Sequence, residues 1–551
     1  KIRLFKILLP IIKQGGDFIK EKNLMIIMCA FVAFAFVIEL KMVGIVCGDY
    51  STLARRQDIK TVDVSAGRAS ITDCDFNKLT DTENQTFALI TGETDINKII
   101  ENIQPADREK FLKSIENTQN VLVSLDKPTD RRKIYVTTKR YSANNAAQNL
   151  IGYTDRDGNG VAGIEKALNT LLKDKGQQFS IEFNVDGNGE IYGDVETVLS
   201  QEEDVLSLTI EKGIQRMAEA VAKENIKNGS IVILETQTGK IKAMVSAPCY
   251  DATNIENYLS SDNSPMVNKA LSAYRPGSVI KPLWAAILLE NGFDSRAIYD
   301  CKGYTEINGH IYHCANNLPH GQVNMEQALT VSCNCYFIDA FIENKAEGFK
   351  NAACLVNFGK NLELCQEYCT SAGDFPSWSE IKNSGVLAQT CFGQGGFSVT
   401  PVHIAAYMNM IANGGVYVRP QIAMGIYDKN TQKQKTNLYS RYSKRIISAD
   451  TAKKVTEMLK AVNENGARGR AKPNNLTGAG KTGTAQTGKR NNAGEEIYTS
   501  WYCGFYPRDR PKYTVCICIY DGGESSVSAA PIFKTICDNL YYMKLFEENA
   551  D

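Results

Sequence analysis

The segment that most restricts what this chain can become lies near its start. Leu24 to Ile38 is an unbroken run of fifteen apolar residues. Alone it falls short of the roughly 20 residues that cross about 30 Å of hydrocarbon. Reading on through Leu40, Met42, Val43, Gly44, Ile45 and Val46 gives roughly 23 residues, enough to span. Glu39 and Lys41 then fall towards the far interface, where long side chains reach water. Lys1, Arg3, Lys6, Lys13, Lys20 and Lys22 precede the run, which assigns that side to the cytoplasm. A cleaved signal peptide would carry a similar run, but no small-x-small cleavage site follows it. The expectation is an uncleaved, single-pass anchor over 24–46, a cytoplasmic tail over 1–23, and a remainder with no second span lying outside the cell membrane.

At 551 residues the chain exceeds one ordinary domain, and 43% apolar residues suffice for real cores. The formal net charge is zero, which argues against electrostatic capture of nucleic acid. Sixteen cysteines are many for an exported protein and raise the question of disulfides. Cys29 sits in the span. Cys516 and Cys518 alternate with Val515, Ile517 and Ile519, as small apolar fillers of a strand do. Cys301 and Cys314 are the best candidate bridge. His310 and His313 between them raise a zinc site, against which the loose spacing counts. Cys333 and Cys335 read as packing residues.

After the span, residues 50–203 form a polar, mixed region with strand-like runs at Val121 to Leu125 and Lys133 to Thr138, and a helical stretch from Ile164 to Leu172. Asp155, Asp157, Asn159 and Gly160 start like a calcium loop, but the twelfth position is Lys166, so a turn is expected. From 204 to 551 the texture changes. A strand over Val205 to Ile210 leads to a helix over Ile214 to Asn225. Ser230 to Leu234 and Lys240 to Ser246 flank a Thr238-Gly239 turn as a hairpin. Helices dominate 279–345 and 400–413, strands return at Trp501 to Phe505 and Tyr513 to Tyr520, and a helix closes Ala530 to Phe546. Strands at both ends with helices between them imply an α+β domain on a mainly antiparallel sheet.

Within that domain stand Ser278-x-x-Lys281, Ser332-x-Asn334 and Lys481-Thr482-Gly483. Each pattern alone is cheap: Ser-x-x-Lys recurs at Ser124 and Ser379, and Ser-x-Asn at Ser142 and Ser261. Only the set beginning at Ser278 has one member of each type in order. Arg275-Pro276-Gly277 sets a turn, so Ser278 begins a helix and Lys281 lies one turn on along the same face. An isolated serine there would simply cap the helix. As a base, Lys281 must shed its proton, which costs about 4.6 kcal/mol at pH 7 from an ordinary value near 10.4. That requires burial and a second cation, which Lys481 can supply. A hydroxyl and an amide two residues apart, Ser332 and Asn334, suit a proton relay and a grip on a substrate amide. Gly483 lets a substrate approach a strand backbone closely. Lys481 and Thr482 can hold a carboxylate, and the N–H groups of Thr484 and Ser278 an oxyanion.

This ordered set resembles that of the class B penicillin-binding proteins, monofunctional peptidoglycan D,D-transpeptidases with a penicillin-binding/serine β-lactamase-like catalytic fold. Further stretches fit: Leu208 to Glu211 with Ile214-Gln215, Ala273-Tyr-Arg-Pro-Gly-Ser278, His320-Gly321, Gly393-Gln-Gly395, Thr400-Pro401, Ile411 to Gly415, and Trp501 with Gly504-Phe505 and Pro507. In the N-terminal pedestal, Arg140-Tyr141, Ile151-Gly152-Tyr153, Gly160 and Gly163-Ile164-Glu165 fit. Arg68 to Leu79 departs from the pattern, with Ala69 and Cys74 where glycine and arginine are expected. The resemblance implies that Ser278 attacks the penultimate D-alanine of a stem peptide, and that an amine from a neighbouring stem resolves the acyl-enzyme. It implies acylation by penicillins and other β-lactams, no metal or cofactor, and pairing with a membrane-embedded glycan polymerase of the shape, elongation, division and sporulation family. A D,D-carboxypeptidase, a serine β-lactamase, and a non-catalytic scaffold or β-lactam sensor are the alternatives. The β-lactamase lacks an identifiable deacylating base, the scaffold has no need of Ser278 and Lys281, and the sensor lacks a cytoplasmic signalling part.

Overall fold

The computed structural model describes residues 21–47, 59–63, 67–90, 103–104, 108, 112, 121–125, 134–155, 157–176, 179–185, 191–199, 204–343, 356–491 and 493–543. Lys1, Arg3, Lys6, Lys13 and Lys20, and with them nearly all of the expected tail, lie outside these residues. The chain divides into two compact units, one holding 1–64, 88–134 and 180–198, the other 65–87, 135–179 and 199–551.

In the first unit, helix α1 spans Glu21–Cys47. Its Leu24–Cys47 portion has a mean hydropathy of 2.4 and no buried share, so its apolar surface faces outward all round. At about 1.5 Å per residue, its 27 residues reach some 40 Å, long enough to cross a bilayer. The same unit holds a three-stranded sheet of Ile59–Asp63, Phe179–Val185 and Ile191–Leu199. The strand-like runs near 121 and 133 are strands Val121–Leu125 and Ile134–Lys139.

In chain order the second unit contains β1 (Ser70–Thr72), β2 (Asp204–Leu208), α2 (Lys212–Asn225), β3 (Gly229–Glu235), β4 (Ile241–Ala247) and α3 (Lys281–Glu290). Then come β5 (Tyr299–Cys301), β6 (Tyr304–Ile307), β7 (His310–His313), β8 (Gly321–Val323), α4 (Met325–Thr330), α5 (Asn334–Glu343) and α6 (Pro401–Ala412). Last are β9 (Ala423–Asp428), α7 (Ala449–Asn465), β10 (Ala479–Arg490), β11 (Glu496–Tyr506), β12 (Tyr513–Tyr520) and α8 (Ala529–Tyr542). Strands β4-β3-β12-β11-β10 form the main sheet, antiparallel at every step. The two-residue period of its strands sorts side chains between two cores. Ile231, Ile233, Val515, Ile517 and Ile519 pack with Ile214 and Ala218 of α2 and Phe533 and Ile536 of α8. Val232, Leu234, Cys516 and Cys518 join the larger core with Ile404 and Met408 of α6. The strand cysteines are therefore apolar fillers, as their alternation suggests.

Three expectations need adjustment. The segment 299–323 is mainly strand, with a single 3-10 turn at Ala315–Asn317: β5 pairs with β8 and β6 with β7, both antiparallel. Gly303, Asn308, Gly309 and Gly321, all at positive φ, turn this chain too often for a helix. The stretch from 164 to 172 is two short helices, Gly163–Ala167 and Asn169–Asp174. The closing helix ends at Tyr542, while residues 544–551 lie outside the description. The Asp155 carboxylate accepts from the backbone N–H of Asp157 and Asn159, so this loop is an Asx-type turn. One strand pair, β1 with β2, is parallel.

A buried ion cluster knots this unit near β1. Glu165, with a fully buried carboxylate, pairs with Arg68 at 2.5 Å and Arg140 at 2.8 Å, and Arg140 reaches Asp81 at 2.9 Å. Tyr141 donates to Glu165 as well. Burial alone would raise the Glu165 pKa, yet the Arg140 and Arg68 guanidiniums hold it below the ordinary carboxylate value. The departures at Ala69 and Cys74 leave this cluster intact: the Ala69 carbonyl accepts from Arg140, and the Cys74 thiol takes a 3.6 Å contact from Lys242.

Candidate active site

Ser278 is half-buried in a 3-10 turn, Gly277–Ile280, that runs directly into α3. Strand β10 lies hard against this turn. A Cβ on Gly483 would fall 2.6 Å from the Val279 nitrogen, and one on Gly277, at φ 58°, would fall 2.7 Å from the Thr484 carbonyl oxygen. Only glycine at both positions permits this approach, so the turn and the Lys-Thr-Gly strand are locked by absent side chains. The Gly277 N–H donates to the Gly393 carbonyl at 2.9 Å. The Trp501 indole holds the Arg275 carbonyl at 2.9 Å, and the Tyr407 hydroxyl donates to the carbonyl of Val279.

Lys281, fully buried, opens α3. Its ammonium donates to Asn334 Oδ1 at 2.7 Å, the Ser332 carbonyl at 2.8 Å and Ser332 Oγ at 3.4 Å. Lys481, 1% exposed, donates to Ser332 Oγ at 3.3 Å and the Thr482 carbonyl at 3.1 Å. The Ser332 hydroxyl thus sits between two ammonium groups. Its residue stands at φ 58° in the turn between α4 and α5, a left-handed conformation that is strained for a non-glycine residue. Asn334 begins α5 and donates to the His313 carbonyl at 2.9 Å.

Burial pushes Lys281 down to about 8, against the opposing pull of nearby thiols. Burial, and then the charge of Lys281, push Lys481 down to about 7. Two cations cannot both remain charged here without cost, so a proton is readily given up near neutrality. The arrangement can deprotonate a hydroxyl at the head of α3 and keep a cation beside the strand at its edge.

The structure brings Lys281, Ser332, Asn334, Lys481 and Thr482 into one hydrogen-bonded group, with Ser278, Gly483 and Thr484 at the contact of turn and strand. Ser525 escaped the sequence reading. It follows β12, and its hydroxyl lies 2.9 Å from Thr484 Oγ1. No local pattern marks a residue that meets its partner only through the fold. A groove of about 270 Å³ beside the strand is lined by Arg275, Tyr312, Phe392, Gln486 and Glu496, among others.

The cysteine expectations change. Every described cysteine is free, and Cys301 and Cys314 approach to 3.7 Å without bonding. His310 and His313 are exposed on β7. Cys333 and Cys335 do more than pack, because both meet Cys314, at 3.7 and 3.4 Å.

The glycine-locked turn, the left-handed Ser332 and the paired lysines all fall inside the stretch that a family match covers. The chain belongs to the family described as the penicillin binding protein transpeptidase domain, which matches residues 229–538. It is similar to stage V sporulation protein D of Bacillus subtilis, 27% identical over 433 residues that cover 74% of this chain and 65% of that protein. It is also similar to peptidoglycan D,D-transpeptidase MrdA of Acinetobacter baumannii, 27% identical over 69% of this chain and 60% of the relative. The chain thus spans less than two thirds of either relative's length. Among solved structures, a peptidoglycan synthase complex that coordinates polymerization and crosslinking includes a chain that superposes with a TM-score of 0.67 at 20% identity, covering 96% of this chain and 100% of that one. The D,D-transpeptidase domain of a peptidoglycan glycosyltransferase from Eggerthella lenta gives 0.64 at 22%, covering 87% and 99%.

Proposed function

We propose that this chain is a peptidoglycan D,D-transpeptidase that crosslinks stem peptides through an acyl-serine at Ser278 and is acylated there by β-lactams. The observation that carries the reading is the convergence of Lys281 and Lys481 on the Ser332 hydroxyl, one turn beyond Ser278. Lys281, neutral in a fraction of molecules, takes the Ser278 proton as Oγ attacks the penultimate D-alanine carbonyl. The oxyanion is held by the N–H groups of Ser278 and Thr484, each such donor being worth about 2.7–4 kcal/mol in the transition state. The terminal D-alanine leaves as an amine, taking its proton through Ser332 from the lysine pair. Asn334 orients the substrate amide, while Lys481, Thr482 and Gly483 receive its carboxylate and backbone. An amine from a second stem then attacks the ester and gives a proton to Lys281, and the departing Ser278 Oγ takes that proton back, which restores the starting state. The groove lined by Arg275 and Glu496 suits that second peptide.

The anchor α1, with its basic approach, supports a single-pass protein whose N-terminus is cytoplasmic and whose other domains, a pedestal over 50–203 and a catalytic domain over 204–551, are extracytoplasmic. A membrane-embedded glycan polymerase of the shape, elongation, division and sporulation family is the partner this layout suits. The test is intact mass of the detergent-solubilised full chain after penicillin. One stable adduct, absent from Ser278→Ala, is expected. An untouched chain with intact drug would overturn the acyl-serine reading in favour of a scaffold, and rapid drug hydrolysis would point to a β-lactamase. Release of D-alanine without crosslinks from paired stem peptides would mark a carboxypeptidase.

A further inference from the structure

Behind the turn that carries Ser332 lies a cluster the proposed chemistry does not use. Cys301 Sγ is 3.7 Å from Cys314 Sγ and 3.5 Å from His320 Nδ1, and Cys314 Sγ is 3.7 Å from Cys333 Sγ. The four donor atoms of Cys301, Cys314, His320 and Cys333 all lie within 4.8 Å of one another. The three thiols are buried and the histidine is partly exposed. A tetrahedral zinc ion with Zn–S bonds of about 2.3 Å sets neighbouring sulfurs about 3.8 Å apart, and a nitrogen ligand draws its edge in slightly. The observed separations fit that polyhedron. They are too long for disulfides, whose sulfurs sit about 2.05 Å apart.

We propose that Cys301, Cys314, Cys333 and His320 form a structural zinc site that clamps the Ser332 turn to the strands over 299–323. The ligands come from four places in the fold. Cys301 ends β5, Cys314 follows β7, His320 precedes β8 and Cys333 lies between α4 and α5. The strand segment is held to α5 by Thr305 Oγ1 on Asp339 Oδ1 at 2.8 Å and by the Tyr299 hydroxyl on the same carboxylate, both beyond the turn itself. Its ladders are three and four pairs long, and Asn334 to the His313 carbonyl is its link at the second motif. Cys333 stands between Ser332 and Asn334, so a metal bond to its sulfur fixes both neighbours, including the left-handed Ser332. Four protein ligands close the coordination sphere, as in structural rather than hydrolytic zinc sites. Cys335, 3.4 Å from Cys314, is a fourth thiol outside the set and can exchange for a lost ligand. Loading releases the protons of the thiols that become thiolates and changes no oxidation state.

The experiment uses the full chain in detergent, prepared under reducing conditions, with elemental analysis and cobalt(II) substitution. About one zinc per chain is expected, and cobalt should give the intense absorption of a tetrahedral thiolate site. Cys301→Ser and His320→Ala should each lower metal retention by about tenfold or more. A chelator should slow penicillin acylation of the parent, and zinc should restore it, with the Ser278 adduct unchanged in mass. No metal after incubation with zinc together with no cobalt spectrum would overturn the site. So would a metal-free chain whose mass shows disulfides among these thiols. The cobalt spectrum is read on the parent chain, so variants that fail to fold do not decide the matter. Metal content is also independent of β-lactam labelling, so the site and the proposed activity can fail separately.

Discussion

Two groups of buried charge sit in the second unit, and they are built on opposite terms. Around Glu165 every charge meets its opposite: two guanidiniums enclose one carboxylate, with Asp81 answering Arg140. Around Ser332 two ammonium groups share one hydroxyl, with neutral acceptors and, among the described residues, no bonded carboxylate. The first arrangement favours the ionised form of Glu165. The second drives both lysines below their ordinary values, because burial disfavours charge and Lys481 also faces the charge of Lys281. Matched charge stabilises the fold, and mismatched charge supplies a base at neutral pH. Their substitutions should therefore separate function from stability.

Lys281→Met should slow acylation by fluorescent penicillin by about 10²–10⁴-fold, the usual contribution of a positioned acid–base group. Its melting temperature should stay close to the parent's, since the desolvated cation is removed along with its hydrogen bonds. A large fall in melting temperature would erase the contrast between the clusters. Glu165→Gln should do the reverse, destabilising by about 3–5 kcal/mol in denaturant titrations because two buried guanidiniums lose their countercharge. Its acylation rate per folded molecule should not change.

The pH dependence of that second variant sharpens the comparison. A depressed folded-state pKa means that Glu165 contributes stability fully above its ordinary value, about 4.3, and loses it as pH falls through the folded value. Parent and Glu165→Gln should converge in stability in acid and diverge as pH rises towards neutrality. Urea titrations at a series of pH values check the sign. The smallest effect belongs to the exposed pair Asp450 and Lys454, one turn apart on α7. Lys454→Ala should change stability by no more than about 0.5 kcal/mol, which calibrates what an unburied pair contributes here.

The motifs of the site were legible because each is local: a serine and lysine on one helical turn, a serine two residues from an asparagine, a lysine beside a glycine. The main sheet was legible from alternation, as at Val515 to Ile519, where successive residues serve opposite cores. What stayed hidden was set by distance along the chain. Glu165 meets Arg68 across 97 residues and Arg140 across 25, and no periodicity encodes such pairings. Thr484 meets Ser525 in the same way. The strands over 299–323 were missed because three or four residues between glycine turns are too short for alternation to register. Their cysteines misled for the same reason. Cys301 and Cys314 suggest a bridge by proximity in sequence; in space they stand 3.7 Å apart, with His320, Cys333 and Cys335 as close or closer to one or the other.

The sulfurs sealed inside the main sheet give the molecule a built-in gauge. Cys503, Cys516 and Cys518 are fully buried free thiols on adjoining strands β11 and β12. A water-soluble alkylating reagent can reach them only when those strands part. Counting alkylated sites against time, at reagent levels where reclosing outpaces labelling, reports the free energy of opening the catalytic sheet. Parallel labelling after β-lactam acylation would report how far a covalent occupant of Ser278 tightens these strands.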